Sequence, residues 1–236
     1  MWCGSFVRAV TMKKIILFVL LLTAALAAGA QRRSVAILGD SYSTFKGFVE
    51  PETNRIWYKA DVDTAKTDVS SVRQTWWHRF ISENDLKLER NNSFSGATVC
   101  NTGYKGKDYS DRSFVARMKD LGRPDIILIL GATNDCWAHS PIGEYKYAGW
   151  TAEDLYSFRP AMAYMLDTMK DYYPGTDIYF VLNCRLSDDI NESVHTICER
   201  YGVPVVNLVD IDCKANHPTQ KGMAQIAEQV KVAVIK

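Results

Sequence analysis

The sequence has no CxxC pair and no Cys/His cluster at zinc spacing, which removes the usual basis for a structural metal. No apolar run reaches the roughly 20 residues that a membrane-spanning helix needs. No block of one charge sign occurs either. Lys and Arg number 28 against 27 Asp and Glu, for a formal net charge of +1, so nothing suggests a nucleic-acid surface or an acidic partner. Internal repeats and low-complexity segments are also missing, which leaves a chain of ordinary globular composition.

What is present begins with a leader-like stretch. Lys13-Lys14 precedes the apolar run Ile15 to Ala28, which ends in Ala28-Gly29-Ala30. A charged start, an apolar middle and small closing residues read as a signal peptide over 1–30, cleaved after Ala30. Export to the periplasm or outside the cell follows as an expectation, with no stable membrane anchor after cleavage. Met12 offers a second start, leaving residues 1–11 upstream of it. The remainder, 31–236, is long enough for one domain with a full core. Five cysteines follow the cleavage site, Cys100, Cys136, Cys184, Cys198 and Cys213. Export permits disulfides, but an odd count leaves at least one thiol unpaired. Small buried thiols are the expectation for most of them.

Periodicity divides the domain into alternating elements. Ser34 to Leu38, Leu86 to Asn91, Asp125 to Gly131, Asp177 to Leu182 and Val203 to Val209 read as strands. Val72 to Asn84, Ala152 to Tyr172, Asp188 to Tyr201 and Thr219 to Ile235 read as helices, with Pro160 kinking or dividing the second. Of the neighbours Trp76 and Trp77, one is expected in the core and the other along a groove. Residues 46–71 carry turn formers and three Asp, and read as an insertion or long loop. The alternation predicts a central parallel sheet in a three-layer α/β/α sandwich. In such sheets, reactive groups lie just beyond the carboxyl ends of strands.

Residue groups at these ends suggest nucleophilic chemistry. Gly39-Asp40-Ser41 follows the first strand, Ser95-Gly96-Ala97 the second, and Gly131-Ala132-Thr133-Asn134-Asp135 the strongest one. His217-Pro218 lies beyond the last strand. A serine hydroxyl needs an adjacent base to act as a nucleophile, and His217 can supply one. Attack on an ester makes an oxyanion, and the N–H groups of Ser41 and Gly96 with the Asn134 amide are candidate donors to it. His78, His139 and His195 have no such context and read as structural or surface residues.

These blocks resemble the SGNH/GDSL hydrolase family, named for Ser, Gly, Asn and His in four ordered blocks. Gly39-Asp40-Ser41, Gly96 in NNSFSGATV, Asn134-Asp135 and His217-Pro218 occur in that order across nearly all of the mature chain. The resemblance implies a flavodoxin-like sandwich and ester hydrolysis without metal or cofactor. It also implies Ser41 as nucleophile, His217 as base, and Ser41, Gly96 and Asn134 as the oxyanion hole. Acetylesterases acting on carbohydrate, lipases and thioesterases are among its members.

Two positions depart from the family pattern. Ala132 occupies the usual glycine site of the third block, a small change that the turn is expected to survive. The aspartate expected three residues before the histidine is Lys214, which has no acceptor for a ring N–H. Asp212 is the best carboxylate candidate to orient His217, if the 213–216 loop bulges. Asp210 is a poorer one, and a backbone carbonyl is the remaining option. Trp137 and Tyr145, with Tyr147 and Trp150, form either a platform for substrate or a satellite core under a loop.

The expected function is a carboxylic-ester hydrolase that removes small acyl groups such as acetyl from a carbohydrate or other small-molecule ester. A lipase or thioesterase is the alternative, although the chain has no long apolar loop to act as a lid. A non-catalytic glycan-binding member of the fold is a further alternative, favoured by Lys214. A flavin-binding domain is disfavoured because GDSYSTFKG lacks a phosphate cradle.

Overall fold

Five short apolar runs become one parallel sheet. In the computed structural model, residues 32–235 are described; the expected signal segment and its cleavage site lie outside them. The strands are β1 (Ser34–Gly39), β2 (Lys87–Ser93), β3 (Ile126–Gly131), β4 (Asp177–Leu182) and β5 (Val205–Asn207). Their order is β2-β1-β3-β4-β5 and every pairing is parallel. This is the flavodoxin-like order, with the chain reversing direction across the sheet between β1 and β3.

Alternation along the strands splits the core in two. Ala36, Leu38, Ile127, Ile129, Phe180 and Leu182 pack on one side against α2 (Phe114–Arg117), α4 (Phe158–Tyr172) and α5 (Asp188–Tyr201), the short α3 (Thr133–Ala138) following β3. Val35, Ile37, Ile126, Leu128, Leu130 and Val181 pack on the other against α1 (Trp76–Glu83) and α6 (Gln220–Val234). Each fully buried large apolar side chain contributes about 1.5–3 kcal/mol. The α/β/α sandwich expected from the sequence is present.

Local chemistry sets the helix ends. Thr219 caps α6 by accepting from the Gly222 N–H at 3.1 Å. Pro160 is the third residue of α4, where a missing N–H removes no helical bond. The proline therefore divides the stretch expected as helical from Ala152: a separate short turn spans Glu153–Tyr156. Trp76 and Trp77 are both buried, contrary to the split expected of them. The Trp76 indole N–H donates to Ser43 Oγ at 3.2 Å, and Trp77 lies against Phe48, 6.3 Å between ring centres. The 45–49 segment thus covers the side of α1 that would otherwise face a groove.

Residues 46–71 contain neither helix nor strand, as expected of a long loop. It is nevertheless packed down, with Asn54, Tyr58, Thr67 and Val69 buried. An element absent from the sequence reading follows β5. Cys213–Lys214 (β6) and His217–Pro218 (β7) pair antiparallel, with Lys214 opposite His217. The two linking residues have positive φ, 47° at Ala215 and 61° at Asn216. Two left-handed residues in a two-residue loop make a type I′ hairpin.

Candidate active site

The strand register brings the four blocks to one edge. Gly39 is opposite Ser93 on β2 and Leu130 on β3, and Gly131 is opposite Leu182 on β4. Ser41, Gly96 and Asn134 follow these ends within three residues. Gly39 is required by close approach: a Cβ there would sit 2.6 Å from both Ser43 Oγ and Ser93 Oγ.

Ser41 opens a single 3₁₀ turn, Ser41–Ser43, capped by the Asp40 carboxylate accepting the Tyr42 N–H at 2.9 Å. Its Oγ lies 3.0 Å from His217 Nε2. His217 Nδ1 lies 3.0 Å from the carbonyl oxygen of Ala215. A carbonyl only accepts, so Nδ1 carries the hydrogen and the Nε2 lone pair faces the Ser41 hydroxyl. Burial holds the imidazole pKa below its ordinary value, opposed by the bond to Ala215. The ring is therefore neutral near pH 7.

This geometry corrects the expectation for Asp212. Its carboxylate accepts the Thr219 hydroxyl, and the ring N–H goes to the Ala215 carbonyl. Lys214 reaches the other way, donating to Thr64 O at 2.7 Å. The hairpin turns back so tightly that a carbonyl within it, two residues before the histidine, reaches the ring.

Gly96 lies in a turn with φ +86°, a conformation that favours glycine. The equivalent demand in the third block is met by Ala132 at φ +70°, which costs roughly 1–2 kcal/mol. Among the described residues, neither the Ser41 N–H nor the Gly96 N–H donates to a backbone acceptor. The Asn134 amide is fixed at both ends: Nδ2 donates to Ala97 O at 3.0 Å and Oδ1 accepts from Tyr104 Oη at 2.8 Å. One Nδ2 hydrogen remains for a ligand.

Buried charges hold the blocks together. Asp135 accepts the Val99 N–H at 2.8 Å and the Cys100 N–H at 3.2 Å, which ties the second block to the third. Desolvation pushes its pKa up to about 6 against those bonds. Asp40 is raised to about 7 by the same cause. The buried Arg117 guanidinium donates to Gly39 O, Asn92 O and Arg112 O, joining the ends of β1 and β2, and desolvation lowers it to about 9.

A cavity of about 530 Å³ adjoins the serine turn, bordered by Tyr42, Tyr104, Trp137, Asn183, Arg185 and Asn216. Trp137 lines it. Tyr145 does not: it lies between the Arg159 guanidinium, 4.2 Å from its ring centre, and Tyr147, and packs on the core. Tyr147 and Trp150 also pack there, so the expected aromatic platform separates into one cavity residue and a satellite core. Cys136, Cys184 and Cys213 line the cavity as free thiols, while Cys100 and Cys198 are buried. Among the described residues, no group of three or more His, Cys, Asp or Glu is placed to hold a metal ion.

Sequence reasoning missed Tyr104, Arg117 and Trp57. The indole of Trp57 stacks on His217, ring centres 3.6 Å apart and planes 5° from parallel. It reaches the site from the 46–71 loop, where no motif marked it.

Comparison with known proteins gives a consistent picture. The family model described as GDSL-like Lipase/Acylhydrolase matches residues 33–234. A candidate GDSL-like lipase from Bacteroides ovatus ATCC 8483 is 60% identical, with a TM-score of 0.85 over 86% of this chain and 98% of its own. A second, from Bacteroides uniformis ATCC 8492, is 51% identical, with a TM-score of 0.83 over 86% of this chain and 95% of its own. A family two carbohydrate esterase from Clostridium thermocellum, in complex with cellohexaose, shares the fold at 14% identity, with a TM-score of 0.56 over 88% of this chain and 65% of its own. No curated protein matches the sequence.

Proposed function

The chain belongs to the GDSL-like lipase/acylhydrolase family, and from that premise we propose that it is a serine esterase removing small acyl groups, acetyl foremost, from carbohydrate. The observation that carries the catalytic part is the 3.0 Å contact between Ser41 Oγ and an imidazole whose other nitrogen is already engaged. In this reading His217 Nε2 takes the Ser41 proton as Oγ bonds to the acyl carbon. The carbonyl electron pair moves to oxygen, where the N–H groups of Ser41 and Gly96 and the free Asn134 N–H receive it. Collapse expels the alcohol, protonated from Nε2. Water, deprotonated by Nε2, then attacks the acyl-serine, and a second collapse frees the acid and returns the proton to Ser41.

The substrate class rests on the cavity. Asn183, Arg185 and Asn216 beside the Trp137 ring offer hydrogen bonds and a flat apolar face together, a combination suited to a sugar. A long acyl chain would meet these polar groups without partners for them. The close Ser41–His217 contact favours turnover over the purely glycan-binding alternative. The exported location expected from residues 1–30 belongs to the same proposal.

The test uses a fluorophosphonate probe and an ester panel. Wild-type protein should be labelled and Ser41→Ala should not, with hydrolysis of acetylated sugars and short aryl esters lost to below a few per cent. Absence of labelling on folded wild-type protein refutes the catalytic reading. A preference for long-chain over acetyl esters refutes the substrate reading.

A further inference from the structure

A general base in acyl transfer needs a fixed tautomer and support for the positive charge it carries midway. In a Ser-His-Asp arrangement one carboxylate supplies both. Here the Ala215 carbonyl supplies the first, but it is a neutral dipole. Asp212 is engaged by Thr219 and Lys214 by Thr64 O, so neither hairpin charge is directed at the ring. Among the described residues, the phenols of Tyr42 and Tyr58 also lie against the ring, at 5.5 and 6.3 Å between ring centres, and burial keeps both un-ionised at neutral pH.

One group does face the imidazole fully. We propose that Trp57 is a positioning residue whose π-face supports the imidazolium of His217, and that the 46–71 loop serves the site by delivering it. This rests on the reading of Ser41 and His217 as the reacting pair. An indole face is electron-rich and attracts a cation held over it, most strongly where water is excluded. His217 is 8% exposed, and the 3.6 Å parallel stack leaves no room for water between the rings. The neutral imidazole of the ground state gains little from this face. The imidazolium gains more, so the contact strengthens as the proton moves, which is the condition for raising kcat.

The loop holds the main chain at Trp57 in place from both sides. The Trp57 backbone N–H donates to Thr44 Oγ1 at 2.8 Å, and that hydroxyl donates to Ser41 O at 3.0 Å; the buried indole N–H has no hydrogen-bond partner among the described residues. Next along the chain, the buried Tyr58 donates to Pro218 O at 2.9 Å. The Lys214 bond to Thr64 O closes the link from hairpin to loop. Trp57 is thus tied to the turn carrying the nucleophile and to the hairpin carrying the base.

The experiment compares Trp57→Leu and Trp57→Phe with wild type. Leucine keeps apolar cover over the ring and removes the π-face; phenylalanine keeps a weaker face. The His217 pKa is read by NMR titration of histidine-labelled protein, which has only four histidines, and kcat and KM are measured on an aryl acetate. Trp57→Leu should lower the His217 pKa by about one unit and kcat by about tenfold, equivalent to about 1.4 kcal/mol, with KM little changed. Trp57→Phe should fall between. A merely structural role would lower activity with the pKa unmoved or raised as water enters, and that result overturns the proposal. Should the leucine variant fail to fold, fluorinated tryptophan, which drains the ring face without changing shape, replaces it. Its incorporation should lower kcat in wild type more than in Trp57→Phe; equal loss in both overturns the proposal. The titration needs no turnover, so failure of the esterase reading appears separately, as folded protein that cleaves no ester.

Discussion

Replacing Asp212 with asparagine separates a carboxylate-held base from a carbonyl-held one. The Asp212 side chain accepts the Thr219 hydroxyl, and Thr219 in turn caps α6 through the Gly222 N–H. Asparagine keeps an acceptor oxygen there and loses only the charge. Hydrogen bonds to charged groups contribute about 1.5–3 kcal/mol and neutral ones about 0.5–1.5, so the variant should lose about 1 kcal/mol of stability. For a domain of this size that lowers Tm by about 2–4 °C. The ring N–H of His217 is held by Ala215 O, which the substitution does not touch. Turnover should therefore change by less than about threefold, under ~1 kcal/mol of barrier. A carboxylate-held base losing its partner would forfeit up to ~10⁴-fold in kcat. The assay is initial-rate hydrolysis of an aryl acetate, with kcat and KM resolved, beside thermal melts of the same preparations. A fall in kcat beyond about thirtyfold, with Tm lowered only as stated, would refute the assignment of the Ala215 carbonyl.

Two further expectations follow from the buried polar groups. Asn134→Ala removes a donor already oriented by Tyr104 and Ala97, so kcat should drop by ~100-fold or more with a smaller change in KM; a change confined to KM would place Asn134 in substrate binding instead. Asp40 has its folded pKa raised to about 7 from an unfolded value of 3.8, so its contribution to stability is complete below about pH 4 and is lost as pH rises towards 7. Asp40→Asn keeps an acceptor for the Tyr42 N–H but cannot ionise, so the Tm of the variant relative to wild type should rise between pH 4 and 7.5; a gap that is flat or shrinks with pH contradicts the raised pKa.

Much of the frame was legible because it depends on local pattern. The strand runs, the order of the four blocks and their places at strand ends follow from apolar periodicity and from the residue types that a nucleophile and an oxyanion demand. The partner of His217 was not legible, because a backbone carbonyl has no letter of its own. Lys214 at the usual aspartate position showed only that the usual carboxylate was absent, and Asp212 took its place as the expected partner although its side chain is engaged by Thr219. The hairpin that brings Ala215 O to the ring depends on left-handed φ at Ala215 and Asn216, and alanine does not advertise that conformation. Trp57 was hidden for another reason: it reaches the base through tertiary folding of a loop without periodicity. Tyr145 was misplaced because closeness along the chain to Asn134 stood in for closeness in space, while stacking on Arg159 and Tyr147 drew it to the core.

The type I′ hairpin also shapes how this site can change by mutation. An acceptor in the main chain survives any substitution at its own position that tolerates the left-handed backbone there, whereas a carboxylate is erased by one codon change. What the hairpin cannot absorb is a change of length. One residue added between Lys214 and His217 would rotate the carbonyl out of reach and break the pairing of Cys213 with Pro218. Base orientation in this chain is therefore tolerant of those exchanges in the turn that keep its left-handed backbone, and vulnerable to insertions and deletions, the reverse of the exposure carried by an aspartate-held histidine.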